Sequence, residues 1–266
     1  MLLISTNKKI PMADNLTIPI IYYHRIAAPP ANAPVKDIYM EPERFARQMK
    51  WLKRLGIQGI NLSQFMDYFE KGEKPARRSV VITFDDGFED NLDAFSLLNE
   101  CGFSATIFVV AGSIGRRVNA QFATDSRGEM VLSAEQIRRL AREAADIQSH
   151  GMTHRRLTAL PEKEAMRELA DSKKILEDIL GKAVDLFCYP YGDFNSRLEA
   201  MVKFAGYRAA CSTARGKTHR PDERFCLKRI PVHYKQGTLK FFQYLYFKNY
   251  GRAQKKLDAK RGAENP

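Results

Sequence analysis

Residues 80–88 (VVITFDDGF) join a strongly apolar run to two adjacent carboxylates. The β-branched and aromatic residues 80–84 predict a strand that is buried on both faces. Two ionised acids beside a low-dielectric core repel each other. A helix beginning near Glu89 could use one Asp as its cap, which leaves the other Asp without a task. A nearby cation would explain both acids, so we expect its further ligands elsewhere in the chain.

Short apolar runs alternate with segments of helical periodicity along most of the chain. The predicted strands are residues 18–24, 80–84, 105–110, 146–150, 186–189, 209–212 and 227–232. The predicted helices are residues 42–55, 63–70, 89–100, 133–142, 161–180, 196–204 and 238–250. About seven β/α pairs predict an α/β fold with a parallel sheet, either closed as a barrel or open and doubly wound. In both architectures, catalytic side chains gather at the C-terminal ends of the strands.

The composition is that of a globular chain with an uneven charge. It has 266 residues, 44% of them hydrophobic, which is enough for one large domain or two small ones. The formal charge is +12, and residues 215–261 hold 14 Lys and Arg against 3 acids, a net charge of +11. Such a segment suits an anionic partner: nucleic acid, anionic lipid head groups or a phosphorylated substrate.

Cysteine usage and the N-terminus both predict a cytoplasmic protein. The four cysteines form no CxxC pair, lie mostly in apolar runs and are predicted to be reduced core thiols. The apolar stretch at the N-terminus is too short for a signal peptide, and its Lys pair lies on the wrong side. No run approaches the length of a transmembrane helix.

Four polar clusters each follow a predicted strand. They are Asp85 with Asp86, His150 with His154 (SHGMTHRRL), His24 (YYHRI), and residues 189–193 (YPYGD). Two imidazoles and one carboxylate leave an open coordination position, as in catalytic zinc sites. An HxxxH pair or a DD pair alone is more often structural. Four clusters at strand ends favour a metal-dependent hydrolase over chance placement.

These motifs resemble those of the polysaccharide deacetylases of carbohydrate esterase family 4, which have the NodB-homology fold. TFDDGF is followed about 65 residues later by HGMTH and then by YPYG, and the resemblance spans roughly residues 18–232. It implies a deformed (β/α) barrel of about seven parallel strands that removes acetyl groups from N-acetylated sugars. It also implies one divalent metal ion, which we expect to be Zn²⁺, although the same ligands would accept Co²⁺, Ni²⁺ or Fe²⁺.

The resemblance assigns a role to each matching position. Asp86, His150 and His154 would hold the metal. Asp85 would be the catalytic base, and Tyr191 would offer its backbone N–H to the oxyanion.

The stretch IPIIYYHRI resembles the circularly permuted branch of poly-N-acetylglucosamine deacetylases, in which a His in an N-terminal strand is the catalytic acid. This makes His24 the predicted acid. Two other histidines are less suited to the role: His233 ranks below His24, and His219, in an Arg- and Lys-rich loop, is expected in solvent.

One position departs from the family pattern. Many members carry an Arg two residues before the proline of the YPYG-like motif, where this chain has Cys188. We expect Arg229, at a predicted strand end, to orient the base instead. Without such a cation the protein would be a non-catalytic or weakly active carbohydrate-binding relative. A metal-dependent amidase acting on a non-sugar substrate is a further alternative.

We expect three parts along the chain: an N-terminal extension (1–17), a deacetylase-like domain (18–236) and a basic aromatic C-terminal helix and tail (237–266). Six aromatic residues lie within 241–250. They predict either a helix packed over the barrel or an interfacial helix on an anionic membrane surface. The second hypothesis implies a lipid-linked glycan at the inner face of the membrane. No nucleic-acid-binding motif accompanies the charge, so nucleic acid is not expected as the partner.

Overall fold

The structure, a computed structural model, describes residues 15–31, 33, 35–118 and 129–262. The strands are β1 Leu16–Thr17, β2 Ile20–Tyr23, β3 Gln58–Ile60, β4 Ser79–Phe84, β5 Ala105–Val109, β6 Ala145–Ser149, β7 Leu186–Cys188, β8 Ala209–Cys211, β9 Thr218–His219 and β10 Ile230–Pro231. The helices are α1 Pro42–Arg54, α2 Leu62–Lys71, α3 Asn91–Cys101, α4 Ala134–Arg142, α5 Glu162–Leu180, α6 Ser196–Phe204, α7 Thr238–Phe242 and α8 Gly251–Gly262.

The main sheet is a curled barrel of seven parallel strands in the order β10-β2-β4-β5-β6-β7-β8, with β3 added beside β4. The segment ending in β10 closes it. Leu227 pairs with Cys211 at the end of β8, and Ile230 pairs with Ile21 of β2. The prediction of a deformed (β/α) barrel with about seven parallel strands is confirmed.

Burial explains why the strand predictions succeeded. All six residues of β4 are buried, because the barrel interior covers one face and helices cover the other. Each predicted strand has an observed counterpart that begins at most three residues from its predicted start, and three of them begin at the predicted residue. The short strand β3 was missed, since only Gly59 and Ile60 of its three residues are buried.

Helix boundaries follow local capping chemistry. Ser133 precedes α4 and forms a capping box with Gln136, as that spacing predicts. Asn61 and Gln64 form the same arrangement before α2. Gly102 and Gly181 take the left-handed conformation that ends α3 and α5.

The C-terminal segment differs from its prediction. The single helix expected over residues 238–250 is divided into α7 and a π-helical turn, Gln243–Phe247, and a further helix, α8, follows where only a tail was expected. Phe241, Leu245 and Leu257 are buried against the barrel, while Phe247 is 82% exposed. The aromatic residues thus serve mainly to pack this segment onto the barrel.

The expectation for His219 was wrong. It lies in β9, which pairs antiparallel with β1, and its side chain is fully buried against the ring of Phe65. The same pairing places Leu16 and Thr17, which were assigned to the N-terminal extension, beside β9. Residues 1–14 and 263–266 lie outside the described residues. All four cysteines are buried and free, as predicted.

Candidate active site

The barrel brings the predicted site residues to one edge of the sheet. Backbone pairing continues one residue beyond each strand: Asp85 N–H donates to the Tyr23 carbonyl at 2.9 Å, and His150 N–H donates to the Val109 carbonyl at 2.9 Å. The sheet therefore fixes the backbone that carries the chemistry, and the side chains project from its C-terminal edge.

Three site residues have left-handed backbones. Asp86 (φ 75°), His154 (φ 58°) and Tyr191 (φ 60°) are the non-glycine residues with positive φ within the described part of the chain. This conformation is uncommon for such side chains and persists only where the surroundings impose it. Its restriction to these three positions marks the site independently of the sequence motifs.

Asp86, His150 and His154 form a buried cluster whose ligand atoms all lie within 4.8 Å of one another. Asp86 Oδ1 is 3.4 Å from His150 Nε2 and 3.3 Å from His154 Nε2, yet it accepts no hydrogen bond from the described residues. A buried carboxylate oxygen without such a donor is costly unless a cation satisfies it. His150 Nδ1 lies 2.7 Å from the Cys188 carbonyl, which directs Nε2 toward Asp86. The cluster therefore fits a divalent metal ion.

The pKa values of Asp86, His150 and His154 are consistent with a site for a divalent metal ion. Burial lowers the pKa of His154 to about 4, so its imidazole is neutral at pH 7, as a metal ligand must be. Burial alone would raise the pKa of Asp86, but the imidazoles beside it hold that pKa well below its usual value. Burial would lower the pKa of His150, but the two carboxylates outweigh it and raise that pKa. The concentrated negative charge is what attracts a cation here.

Asp85 is held by Arg229, the residue expected from the sequence to take the place of the missing Arg. The guanidinium donates Nη1 to Asp85 Oδ1 at 2.7 Å and Nη2 to Oδ2 at 2.8 Å, and it is fully buried. Arg229 Nη2 also lies 3.0 Å from Cys188 Sγ. Burial raises the pKa of Asp85, but the paired Arg229 more than offsets this and lowers it. The carboxylate is thus ionised and oriented.

His24 lies beside Asp85, and Tyr191 lies beside the cluster of Asp86, His150 and His154. His24 Nε2 is 3.9 Å from Asp85 Oδ2, and its side chain is one-quarter exposed, so a bound substrate can reach it. The Tyr191 ring lies 4.7 Å from the ring of His154, and the guanidinium carbon of Arg156 lies 4.2 Å above it. His233 Nδ1 lies 3.9 Å from Asp37 Oδ2.

Glu168 is a supporting residue that the sequence reasoning missed. It is buried, and its Oε2 accepts the backbone N–H groups of Met152 and Thr153 at 2.9 and 2.8 Å. Its Oε1 accepts the Thr153 hydroxyl. These bonds hold the loop between the two histidine ligands. A signal existed: Glu168 interrupts the apolar stripe of α5 that includes Ala165, Leu169 and Leu176.

Gly192 has a steric role beside Tyr191. Its φ is +67°, and a Cβ there would lie 2.1 Å from Thr213 Oγ1 and 2.5 Å from the Thr213 backbone nitrogen. Only glycine permits this close approach, which sets the course of the loop after Tyr191.

An arginine-clamped carboxylate beside a buried Asp-His-His cluster, at the C-terminal edge of a β/α barrel, is the site of a metal-dependent hydrolase. Comparison with known proteins makes the class specific. The sequence pattern described as polysaccharide deacetylase matches residues 72–210, just over half of the chain. The chain belongs to this family, and the predicted class of carbohydrate N-deacetylase is confirmed.

Individual relatives agree with this assignment. YxkH of Bacillus subtilis strain 168, named as a candidate polysaccharide deacetylase, is 29% identical over 216 residues, covering 81% of this chain and 71% of its own. The poly-β-1,6-N-acetyl-D-glucosamine N-deacetylase of Staphylococcus aureus strain MRSA252 is 26% identical, covering 65% of this chain and 61% of its own. The Streptococcus pyogenes deacetylase PplD, solved with acetate, superposes with a TM-score of 0.76 at 21% identity, covering 87% of this chain and 99% of its own, which shows the fold.

Proposed function

We propose that this protein hydrolyses the acetamide of an N-acetylated sugar, N-acetylglucosamine within a glycan, to acetate and an amino sugar. The observation that carries the proposal is the pairing of the Arg229-clamped Asp85 with the Asp86-His150-His154 cluster. The choice of sugar rests on the similarity to the staphylococcal poly-β-1,6-N-acetyl-D-glucosamine N-deacetylase.

The two adjacent carboxylates have separate tasks in this mechanism. Asp86, with His150 and His154, would hold a divalent ion, for which we propose Zn²⁺. Such an ion supplies Lewis-acid polarisation of the acetamide carbonyl and a lower pKa for the attacking water. Asp85 cannot rotate freely, because Arg229 engages both of its oxygens. It is therefore the group that accepts the proton of the attacking water.

The remaining residues act on the tetrahedral intermediate. The backbone N–H of Tyr191 donates to the oxyanion that forms from the carbonyl. His24, in its protonated form, donates to the amide nitrogen as the carbon–nitrogen bond breaks. The electron pair of that bond stays on the nitrogen, and the products are acetate and the free amine.

Asp85 and Asp86 provide a matched pair for the first test. Acetate release from N-acetylglucosamine oligomers is measured with metal-stripped protein, with and without added Zn²⁺ or Co²⁺. We expect Asp85→Asn to lower kcat by about 10²–10⁴-fold while binding one equivalent of zinc, because only the base is lost. We expect Asp86→Asn to lose the zinc as well.

Either of two results would overturn the proposal: acetate release without added metal, or an active Asp85→Asn variant. Retained zinc with no release from any N-acetylated sugar would favour the alternative of a non-catalytic carbohydrate-binding relative. That alternative depended on the Arg missing at Cys188, and Arg229 now supplies the cation. Release from non-sugar acetamides alone would favour the amidase.

The lipid-linked form of the substrate and the location at the inner face of the membrane stay predictions. Among the described residues, no helix has the length and apolar character needed to cross a membrane. Leu239 and Phe247 are large apolar side chains of the C-terminal segment that are more than 80% exposed. Co-sedimentation of the Leu239→Ser/Phe247→Ser variant with anionic vesicles, compared with the unchanged protein, tests whether they contact lipid.

A further inference from the structure

A basic cleft opens beside the candidate active site. It has a volume of about 640 Å³ and lies between α8 and the loops that follow β7 and β8. Gly192 and Thr213 are among the residues that line it, and Gly192 directly follows Tyr191. Thr213 Oγ1 lies 3.4 Å from the Tyr191 carbonyl oxygen. A substrate that places its acetamide at Asp85 therefore has this cleft within reach of its neighbouring groups.

Helix α8 presents one basic face to the cleft. Arg252, Lys256 and Lys260 recur every fourth residue and all line it, and Arg215 and Lys248 line it from the adjoining loops. Residues spaced by four lie on the same side of a helix.

The orientation of α8 is set by its other side. Asp258 accepts Arg220 at 2.6 Å, and Arg261 donates to Asp222 at 2.9 Å. Gln254 accepts a hydrogen bond from Lys228 at 2.6 Å. These contacts hold α8 so that its other basic residues face the cleft.

Most of the positive charge in the cleft has no acidic partner among the residues that the structure describes. Lys260 lies 3.6 Å from Asp193, but no described carboxylate lies within 4 Å of Arg215, Lys248, Arg252 or Lys256. By contrast, Arg220 and Arg261 on the other side of α8 each pair with acids. Four uncompensated cations around one concavity create a positive potential that a multiply charged anion would neutralise.

We propose that the basic cleft binds a phosphate or diphosphate group carried by the glycan substrate next to its N-acetylated sugar. This inference deepens the proposed deacetylase function and rests on it. A phosphate group carries up to two charges and three acceptor oxygens, so it engages several cations at once, whereas a carboxylate carries one charge. The enzyme would then select anionic glycans through a region outside the reacting atoms.

Three substrates that differ at one end test the proposal. They are an N-acetylglucosamine trimer with a phosphate at its reducing end, the same trimer without it, and the same trimer with a carboxylate there. We expect kcat/KM for the phosphorylated trimer to exceed that for the neutral one by about tenfold or more at low salt. The preference should fall as ionic strength rises, because the cleft is open to solvent.

The charge-reversed variant Arg252→Glu/Lys256→Glu should lose the preference and keep its activity on the neutral trimer. Arg47→Glu/Lys50→Glu on α1 is the matched control, since it changes the net charge equally at exposed positions outside the cleft. The control should keep the preference. Equal rates on the phosphorylated and neutral trimers, or an unchanged preference in the cleft variant, would refute the proposal. Equal rates on the phosphate and carboxylate trimers would refute the assignment to phosphate.

A binding measurement separates this proposal from the deacetylase function. If no trimer is deacetylated, the proposed deacetylase function fails. Calorimetric titration of the phosphorylated trimer into the same proteins then tests phosphate binding by the basic cleft independently of catalysis. Binding that is about tenfold weaker in the cleft variant than in the α1 control would support the cleft. Equal binding would exclude it.

Discussion

The Arg229 side chain makes several contacts at once around the base Asp85. It is fully buried, engages both oxygens of Asp85, donates Nε to the Ser212 carbonyl at 3.0 Å and lies 4.4 Å from the ring centre of Tyr22. A planar guanidinium fixes the plane of a carboxylate as well as its charge. Arg229 is thus a positioning residue for the base, and its loss should change the titration of Asp85 as well as its orientation.

Replacement of Arg229 should shift the pH profile of the reaction. Asp85 is active when ionised, and Arg229 lowers its pKa against the opposing effect of burial. In Arg229→Met the largest of the effects that oppose burial is lost and only His150 and His24 still counter it, so the pKa of Asp85 rises and activity is lost at a higher pH as the solution is acidified. We also expect kcat/KM at pH 7 to fall by about 10²-fold, because a buried ion pair is broken. The measurement is the pH dependence of kcat/KM.

Arg229→Lys is the control for this prediction. It keeps a positive charge but loses the paired hydrogen bonds, so it should shift the acidic limb less than Arg229→Met while still lowering kcat. Identical acidic limbs in the unchanged protein and Arg229→Met would contradict the role given to Arg229. Metal content is measured alongside, since the three ligands are the same in all these proteins.

At the scale of elements, the five residues from His150 to His154 depend on α5. The loop makes a sharp turn, and Gly151 and His154 both have positive φ. Glu168 supplies the acceptors for two backbone N–H groups in this turn. Helix α5 thereby fixes the separation of His150 and His154, although neither histidine lies on this helix.

Glu168→Gln should weaken metal binding while the ligands remain in place. The amide group replaces one acceptor oxygen and removes the charge that also binds Arg155 at 3.3 Å. Groups that hold metal ligands typically contribute about 10–100-fold to metal affinity, and we expect about tenfold here. Competition with a chromophoric chelator measures the change.

Glu164→Gln is the matched comparison, because Glu164 pairs with the same Arg155 at 3.0 Å from one turn earlier and is half exposed. It should leave zinc affinity unchanged. Equal losses in the two variants would mean that Arg155, rather than the loop backbone, accounts for the effect of Glu168.

At the scale of the whole molecule, the N-terminal and C-terminal parts of the chain meet beneath the barrel. Strand β1 pairs with β9, and His219 Nε2 lies 3.1 Å from the Ile18 carbonyl. Burial, together with the charge of Lys228, lowers the pKa of His219 to about 3. This histidine is therefore neutral in the folded protein over the usual pH range.

His219 should make the folded state sensitive to acid. In the unfolded chain its pKa returns to about 6.5, so between about pH 6.5 and 3 the unfolded state binds the additional proton. Stability is full above this window and falls as the pH is lowered through it, by at most about 1.4 kcal/mol per pH unit from this group. Urea unfolding of the unchanged protein and His219→Gln at pH 7, 6 and 5 measures the difference in slope.

His219→Gln should flatten the pH dependence even though it lowers stability at pH 7. His233→Gln is the comparison, since His233 is partly exposed and near Asp37. It should keep most of the slope. Parallel pH curves for the unchanged protein and His219→Gln would show that His219 does not cause the acid sensitivity.

Sequence patterns alone predict the seven strands, the order of strands and helices, and the polar clusters that follow four of the strands. Apolar runs, capping residues and turn glycines act over a few residues, so they can be read without the fold. The left-handed conformations of Asp86, His154 and Tyr191 were not predicted, because they depend on what surrounds each turn.

Which distant groups meet depends on how the whole chain folds. Asp85 and Arg229 are 144 residues apart, and the sequence suggested their pairing only through the Arg missing at position 188. The support from Glu168, the burial of His219 and the basic face of α8 had no local signature strong enough to predict them. Barrel closure brings such groups together. Their charges and their burial influence one another only at the short distances that closure creates.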